Sequence, residues 1–574
     1  MPAVTFGGMS DHALRLLREQ PHLAELAAFP FNFDLTRADH GEAVRLASGG
    51  PLEAVAGDDT GGTYFVCGDG SVLYADSEGS AGIIGTSVDE ALEVLVGLPG
   101  WHDYLGLAPA DGEEKIRAAV AETEEEIREY HGIDDERTEL RAGLGLPERS
   151  PVELIGLLHA ALLRTEPDFL LLNAEEGGAH DLLDRHPRPA LWETVLARGR
   201  TDLTLLREGS AWDEVAGDRA RRALALRAAQ FDRREGDLPL LRHLLRHEAE
   251  ASMTDELRLA AVLVGLHGCA EDLPLLYEVR ETDFDTWCGL GGMPEPGADP
   301  AELRSWARDL DDSLFGTDPA DEPLFTWTGL AHEQGLVELA RAALIRRLDD
   351  IDFRAYCDAR DGKAMERRDA SPLGSLVHEF EQLGDTFQAL RAQRLYVPLQ
   401  TRAWDRVSAL LRLARLEREE GRFGAAIRTL ASLRDTLTEP DGGAGDSGSG
   451  SRSDKSLGHW QRTNLGAYIV EEHYAVARTA ATDTALADEV RTVTVAAGDL
   501  LAGLSGTARA NVERHHAGTT DTHTDTHGTT DTHTDTHGTT DTHTDSPTDI
   551  HTDTGANPDA GVSAEPTPPQ PSAG

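Results

Sequence analysis

The spacing of apolar residues changes character along the chain. Over residues 11–29, Leu14, Leu16, Leu17, Leu23 and Leu26 form a helical stripe that Pro21 interrupts. A proline ring lacks the amide a helix interior needs and clashes with the preceding turn, so two short helices are expected. Between 52 and 84 the pattern shortens to β-rich runs, Thr63 to Cys67, Ser71 to Ala75 and Ala81 to Ile84, separated by Gly68-Asp69-Gly70 and by a turn near Gly79. This predicts a three-stranded antiparallel meander. Ser87-Val88-Asp89-Glu90 follows with the S-x-x-E spacing of a capped helix start, and Val88, Ala91, Leu92 and Leu95 supply that helix's buried face, ending before Pro99. A sheet with one apolar face needs a helix over it, which predicts a small α+β domain across residues 1–110.

From about residue 150 the chain repeats itself. Asp168-Phe169-Leu170-Leu171-Leu172, Asp202-Leu203-Thr204-Leu205-Leu206, Asp237-Leu238-Pro239-Leu240-Leu241 and Asp272-Leu273-Pro274-Leu275-Leu276 begin 34, 35 and 35 residues apart. Two further matches, from Asp283 to Cys288 and from Asp352 to Cys357, are separated by 69 residues, close to two periods. Such a period belongs to stacked helix pairs, each with an apolar face it cannot bury alone. Pro239 and Pro274 suit first-turn positions, so each D-L-P-L-L element is expected to open the second helix of a unit, with first helices over 219–232 and 254–267. Ser150-Pro151-Val152-Glu153 likewise reads as a capped start, followed by the stripe Leu154, Leu157, Leu158, Ala161 and Leu162. The expected fold class is therefore a small α+β N-terminal domain, then an all-α helical-repeat array over 111–438, then a disordered tail.

Past the array, residues 439–458 are rich in glycine and serine and read as a flexible linker. Residues 459–516 carry enough apolar positions, Trp460, Leu465, Ile469 and Tyr474 among them, for two or three helices, either a cap on the array or a separate domain. From 517 to 574 the chain is low in complexity, with DTHTDTHGTT at 521–530 and again at 531–540. Almost no apolar side chain is present there to offset ordering, so disorder is expected. His523, His527, His533 and His537 would bind zinc or nickel only weakly and adventitiously, because a floppy decapeptide offers no fixed ligand set.

Charge narrows the partners. Of 574 residues 102 are acidic and 53 basic, a net charge of −49, which repels nucleic acid and anionic lipid and favours a basic protein partner. The four cysteines, Cys67, Cys269, Cys288 and Cys357, stand far apart, as in a reducing compartment, and the opening MPAVTFGGMS is unlike a secretory leader. A cytoplasmic protein is expected. A G-x-x-x-x-G-K-[ST] loop, a G-x-G-x-x-G turn and a G-x-S-x-G elbow are all missing from the sequence. His247-Glu248, His332-Glu333 and His378-Glu379 each lack the second histidine of a zinc protease helix. His243 and His247 stand four apart, half of a metal site with no assignable third ligand, and Trp101-His102-Asp103 has no nucleophile in register. No catalytic, cofactor-binding or metal-binding residue is assigned, and a non-enzymatic role is expected.

Two stretches carry family resemblances. Residues 61–105, GGTYFVCGDGSVLYADSEGSAGIIGTSVDEALEVLVGLPGWHDYL, resemble the SMI1/KNR4-like (SUKH) family in their glycine-rich lead into paired strands, third strand and final amphipathic helix. The resemblance implies an intracellular binding module, and in bacteria an immunity-type protein that occludes a toxin domain. Asp58 and Asp59, just upstream, are the candidate partner-binding rim, an acidic edge for a basic target, or else a solvated turn before Gly61-Gly62. Residues 412–433, RLARLEREEGRFGAAIRTLASL, resemble a tetratricopeptide repeat, with Leu413 and Ala414 on the first helix, Gly421 in the turn, and Phe423, Ala426 and Leu430 on the second. That likeness implies protein or peptide binding on a concave face. The expected function is protein interaction, with a regulatory or assembly scaffold built on the repeats and an enzyme with an unrecognised site as alternatives.

Overall fold

The computed structural model describes residues 12–365, 367–438, 457–506, 508–510 and 512. The expected linker up to residue 456 and the histidine-containing tail fall outside these described residues.

The N-terminal region begins with α1 (His12–Glu19) and α2 (Pro21–Ala28), divided at Pro21, which occupies the tolerated first turn of α2. Five strands follow, β1 (Val44–Leu46), β2 (Leu52–Gly57), β3 (Thr63–Cys67), β4 (Val72–Ala75) and β5 (Ser80–Gly85). After them come α3 (Val88–Gly97), α4 (Glu113–Tyr130), α5 (Ile133–Leu144) and α6 (Pro151–Leu162), then the short β6 (Leu171–Asn173) and β7 (Asp181–Leu182). The expected meander is present as β3, β4 and β5, but the sheet has five strands in the order β2-β3-β4-β5-β7, antiparallel except for the parallel pair β5–β7. β2 escapes sequence reading because Leu-Glu-Ala-Val-Ala-Gly is poor in β-branched and aromatic residues. A two-residue strand such as β7 leaves no periodicity to read.

The register also differs from a sheet with one apolar face. Phe65, Leu73 and Ile83 align across β3, β4 and β5 on one face, and Tyr64 and Tyr74 align on the other. The tyrosine face packs under α1 to α6 in a core that runs on to Leu162. Phe65, Leu73 and Ile83 are covered by Leu46, Ala161, Phe169 and Leu171, part of which belongs to the antiparallel ribbon β1–β6. Both predicted caps form. Ser87 Oγ accepts from Glu90 N at 3.1 Å while the Glu90 carboxylate takes the amide and hydroxyl of Thr86, and Ser150 with Glu153 closes a reciprocal box.

The rest of the described chain is helical, with α7 (Leu191–Arg207), α8 (Trp212–Gly217), α9 (Arg219–Phe231), α10 (Leu238–Glu248), α11 (Asp255–His267), α12 (Leu273–Arg280), α13 (Phe284–Gly289) and α14 (Pro300–Leu310). It continues through α15 (Leu324–Glu333), α16 (Val337–Arg360), α17 (Ala370–Gln382), α18 (Thr386–Tyr396), α19 (Ala403–Glu419), α20 (Phe423–Thr438), α21 (Asn464–Ala480) and α22 (Ala487–Gly503). The first helices expected at 219–232 and 254–267 are α9 and α11, and Pro239 and Pro274 sit in the opening turns of α10 and α12. The other two members of the periodic series behave differently. Asp202 lies inside α7, and the Asp168 segment leads into β6, where Leu171 and Leu172 pair with Leu46 and Arg45. An unbroken buried run of leucines serves a short strand as well as a helix, and tertiary pairing decided between them.

Helices pack in pairs, α7 with α9 across the short α8, α10 with α11, α15 with α16, α17 with α18, α19 with α20 and α21 with α22, so α9 and α11 pair with the helices before them and not with α10 and α12 as the expected units had it. Gly335, Gly384 and Gly421 hold left-handed φ values of 78°, 68° and 68° at three of the turns, a conformation that costs other residues a Cβ clash. In the tetratricopeptide-like unit Ala414 and Ala426 are fully buried between α19 and α20, whereas Phe423 is only half-buried. Val476, Ala477 and Val493 of α21 and α22 share a core with Ala414, Ala426 and Leu430, so the last pair extends the stack.

A polar ladder joins consecutive repeats. The Arg207 guanidinium donates two hydrogen bonds to Asp237, at 2.9 and 2.8 Å, and Arg242 donates to Asp272 at 2.5 Å. Arg207 and Arg242 stand at the same place in consecutive repeats, as do the two aspartates, so the D-L-P-L-L motif carries a carboxylate that locks one unit to the one before it. The molecule is thus a small α+β region followed by a long all-α region with repeat-like helix pairing.

Candidate functional site

A groove of about 630 Å³ opens in the array where α9, α10, α11 and α14 meet. Its base is closed by Ala229, Leu241 and Leu263, each only 2% exposed, with Leu266 half-buried beside them, and its walls carry Arg233, Arg234, Arg304, Arg308 and His267 together with Glu235 and Asp237. The helices that frame it are set by close packing. A Cβ at Gly265 would lie 2.9 Å from Ala307 Cβ and 3.2 Å from the Trp306 ring, so glycine lets α14 press directly onto α11. Leu303, Trp306 and Ala307 then fill the buried side of α14, and the Trp306 indole N–H donates to Gly291 O at 3.1 Å. Arg304 and Arg308, four apart, are left together on the opposite, exposed side along the groove. Gly268 closes α11 at φ 62°, and the Arg304 side chain lies across it so tightly that a Cβ there would meet Nε at 2.1 Å.

Charge inside the groove is unbalanced. Arg233 is held by Asp311 through two hydrogen bonds of 2.8 and 2.7 Å and by Gln230 O. Asp237 is taken up by Arg207 and by the Arg234 amide. Among the described residues, the guanidinium groups of Arg234, Arg304 and Arg308 have no carboxylate within ion-pair distance, and Glu235 on the rim is likewise unpaired. Burial lowers the basicity of His267, against the pull of Asp237 and Asp272, so its ring adds little positive charge near neutrality.

Two smaller depressions, about 210 and 470 Å³, flank Phe387 where the β1–β6 ribbon meets α18. Here Arg391 is held by Asp349 and Asp352, Arg341 by Glu338 and Asp385, and Arg394 by Glu417. Arg45 and Arg422 rest on the Phe387 ring at 5.0 and 5.7 Å. Of these cations Arg45 and Arg391 tie the α+β region to the array, and the paired charges leave the depressions close to neutral.

The residues singled out from sequence have definite places. Asp58 is buried, 3% exposed. One oxygen accepts from Thr60 N, Thr60 Oγ1 and Gly62 N, and the other from the Tyr74 hydroxyl at 2.6 Å. Burial would raise its pKa, but these hydrogen bonds outweigh it and hold the carboxyl below its ordinary range. Asp59 beside it is exposed. His243 packs on the Trp212 ring and lies 3.6 Å from Asp213, with the His247 ring 4.9 Å away. Among the described residues no group of three His, Cys, Asp or Glu side chains could hold a metal ion. His102 lies against the Trp101 ring at 3.8 Å. Cys67 is buried, which pushes its thiol up to about 12, Cys288 is exposed, and none of the four cysteines is in a disulfide. The two D-F-x-x-aromatic-C matches place Phe284 and Trp287, and Phe353 and Tyr356, as exposed aromatic pairs. Arg280 stands over both Tyr277 and Trp287 at 5.3 Å.

Sequence reading did not reach the groove. The available signal was the Arg304/Arg308 pair on the polar side of an amphipathic helix in an acidic chain. Its significance depends on Arg234, which arrives from a turn 70 residues earlier.

Comparison with protein-family models, with curated proteins and with solved structures finds no match to this chain. The strands and helix on which the SUKH resemblance rests are β3, β4, β5 and α3, while β2 and β7 lie outside the matched stretch. Among the described residues no helix is long and apolar enough to cross a membrane.

Proposed function

We propose that this chain is a non-enzymatic interaction scaffold whose helical array carries the surface for a protein partner. The observation that supports this reading is the open groove between α9, α10, α11 and α14, which gathers three arginines without counter-ions over a buried apolar base. Stacked helix pairs give such a groove rigid walls, and a pre-formed surface loses little entropy when a partner binds. The SUKH resemblance supports a different reading, in which the α+β region occludes a toxin domain. Of the two rim aspartates that reading uses, only Asp59 is exposed to a partner.

The two readings separate in one experiment. Tagged full-length chain, its Arg304→Glu/Arg308→Glu variant and its Asp59→Lys variant are each used to recover partners from the source cells, with recovered proteins quantified against the unmodified chain. The scaffold reading expects a defined partner lost with the double arginine variant and kept with Asp59→Lys. The reverse pattern would move the contact to the α+β region and support occlusion.

A further inference from the structure

Resting on the scaffold reading, we infer that the groove binds a short acidic segment of the partner, with its carboxylates held by Arg234, Arg304 and Arg308 and a neighbouring apolar side chain resting against Leu266, the exposed edge of a base otherwise closed by Leu241 and Leu263. The geometry supplies both halves of this recognition. The floor residues are contributed by α10 and α11, and the arginines stand around them on the turn before α10 and along α14. A guanidinium is a planar fork that grips a carboxylate through two hydrogen bonds, and such bonds strengthen where an apolar floor excludes water.

Charge complementarity selects the occupant. The local surplus of positive charge contrasts with a net charge of −49 for the whole chain. A basic partner, expected from the net charge alone, would be drawn to the outside of the molecule and repelled here. Phosphates also fit arginine, but a long polyanion would meet the repulsion of the entire acidic surface along its length, whereas a short acidic segment meets only the groove. The cavity of about 630 Å³ admits a few side chains and not a folded domain, so the recognised element is a linear segment.

The test uses the full chain and a panel of fluorescently labelled short peptides, each with one leucine or phenylalanine flanked by aspartate and glutamate at different spacings. Binding is read by anisotropy at low and physiological salt. At least one acidic peptide is expected to bind, to weaken as salt rises, and to lose about tenfold or more in affinity when its acids become amides. The Arg304→Gln/Arg308→Gln variant, with circular dichroism and thermal transition unchanged, is expected to lose the same affinity. Arg234→Gln, on an exposed turn, serves as a second variant should α14 be disturbed. No binding by any peptide, equal binding of the amide versions, binding unaffected by the arginine variants, or displacement of a bound peptide by a single-stranded oligonucleotide more readily than by unlabelled peptide would each overturn the inference. Loss of the cellular partner with Arg304→Glu/Arg308→Glu but no peptide binding would sink this inference and leave the scaffold reading standing.

Discussion

Asp58 illustrates how one side chain can look like surface chemistry in sequence and act as internal structure. Gly62 makes the arrangement possible, because a Cβ there would lie 2.1 Å from the Tyr74 hydroxyl that Asp58 accepts. Replacing Asp58 with alanine leaves that hydroxyl and the Gly62 amide buried without a partner, so Asp58→Ala is expected to cost about 3 kcal/mol, while Asp59→Ala changes stability little. Amide exchange in β3 and β4 would register the difference. A second residue-scale prediction concerns His473, fully buried in α21, with Nδ1 2.7 Å from Ile469 O and Nε2 3.2 Å from the Arg434 guanidinium. Burial lowers its pKa from 6.5 to about 4, so the unfolded chain takes up a proton there before the folded one does. Stability from this residue is complete above pH 6.5 and falls as the pH drops towards 4, by about 3 kcal/mol in all. Thermal melts of the native chain and His473→Gln across that range should diverge, with the variant less sensitive to acid.

Between elements, the controlling contacts are the arginine–aspartate rungs. Asp237 is 2% exposed and Arg207 is largely buried against it. Removing the carboxylate strands a buried guanidinium, so Asp237→Ala is expected to destabilise the α7–α10 segment by about 3 kcal/mol. Replacing both partners, Arg207→Met with Asp237→Leu, should cost less than the single change, because no unpaired charge is left behind. Urea unfolding of the two variants, with hydrogen exchange to localise the effect, checks both. These rungs explain why the D-L-P-L-L motif keeps its aspartate: proline sets the helix start, leucines fill the core, and the carboxylate ties each repeat to its predecessor. The period was legible in sequence because three of those roles leave a fixed residue spacing. The two misassigned members, at Asp168 and Asp202, have the leucines but no following proline, and without it the run of leucines does not specify a helix start.

Across the whole molecule, the α+β region and the array are joined by a common core, in which Ala47, Leu170 and Leu172 pack with Leu344, Ile345, Leu376 and Phe380. The loop after β6 completes the joint. Gly177 O accepts from Gln388 Nε2 at 2.7 Å and from Arg391 at 3.2 Å, and Ala179 N donates to Asp349 at 3.1 Å. Gly177 has φ 80°, and a Cβ there would lie 2.3 Å from the Phe387 ring. Gly177→Ala is therefore strained in both backbone and contact, and is expected to raise hydrogen exchange in residues 173–179 and in α18 together, with the sheet β2–β5 unaffected. If exchange rises only in the loop, the joint does not depend on this contact.

Local chemistry was readable from the chain by itself: where helices start, the strands β3 to β5, the helix pairs with a proline-marked period, and the excess of negative charge. Those features follow from neighbours in sequence, from caps, turns and the spacing of apolar side chains. The partners of β2 and β7, the strand formed by Leu171 and Leu172, the burial of Asp58 and the gathering of Arg234, Arg304 and Arg308 around one apolar floor were decided only by tertiary structure. β7, the strand of Leu171 and Leu172 and the three arginines depend on residues 70 to more than a hundred positions apart coming into contact, whereas β2 and Asp58 find their partners within 16 positions but only through the fold of the sheet around them, and no local spacing records which side chains will share a wall.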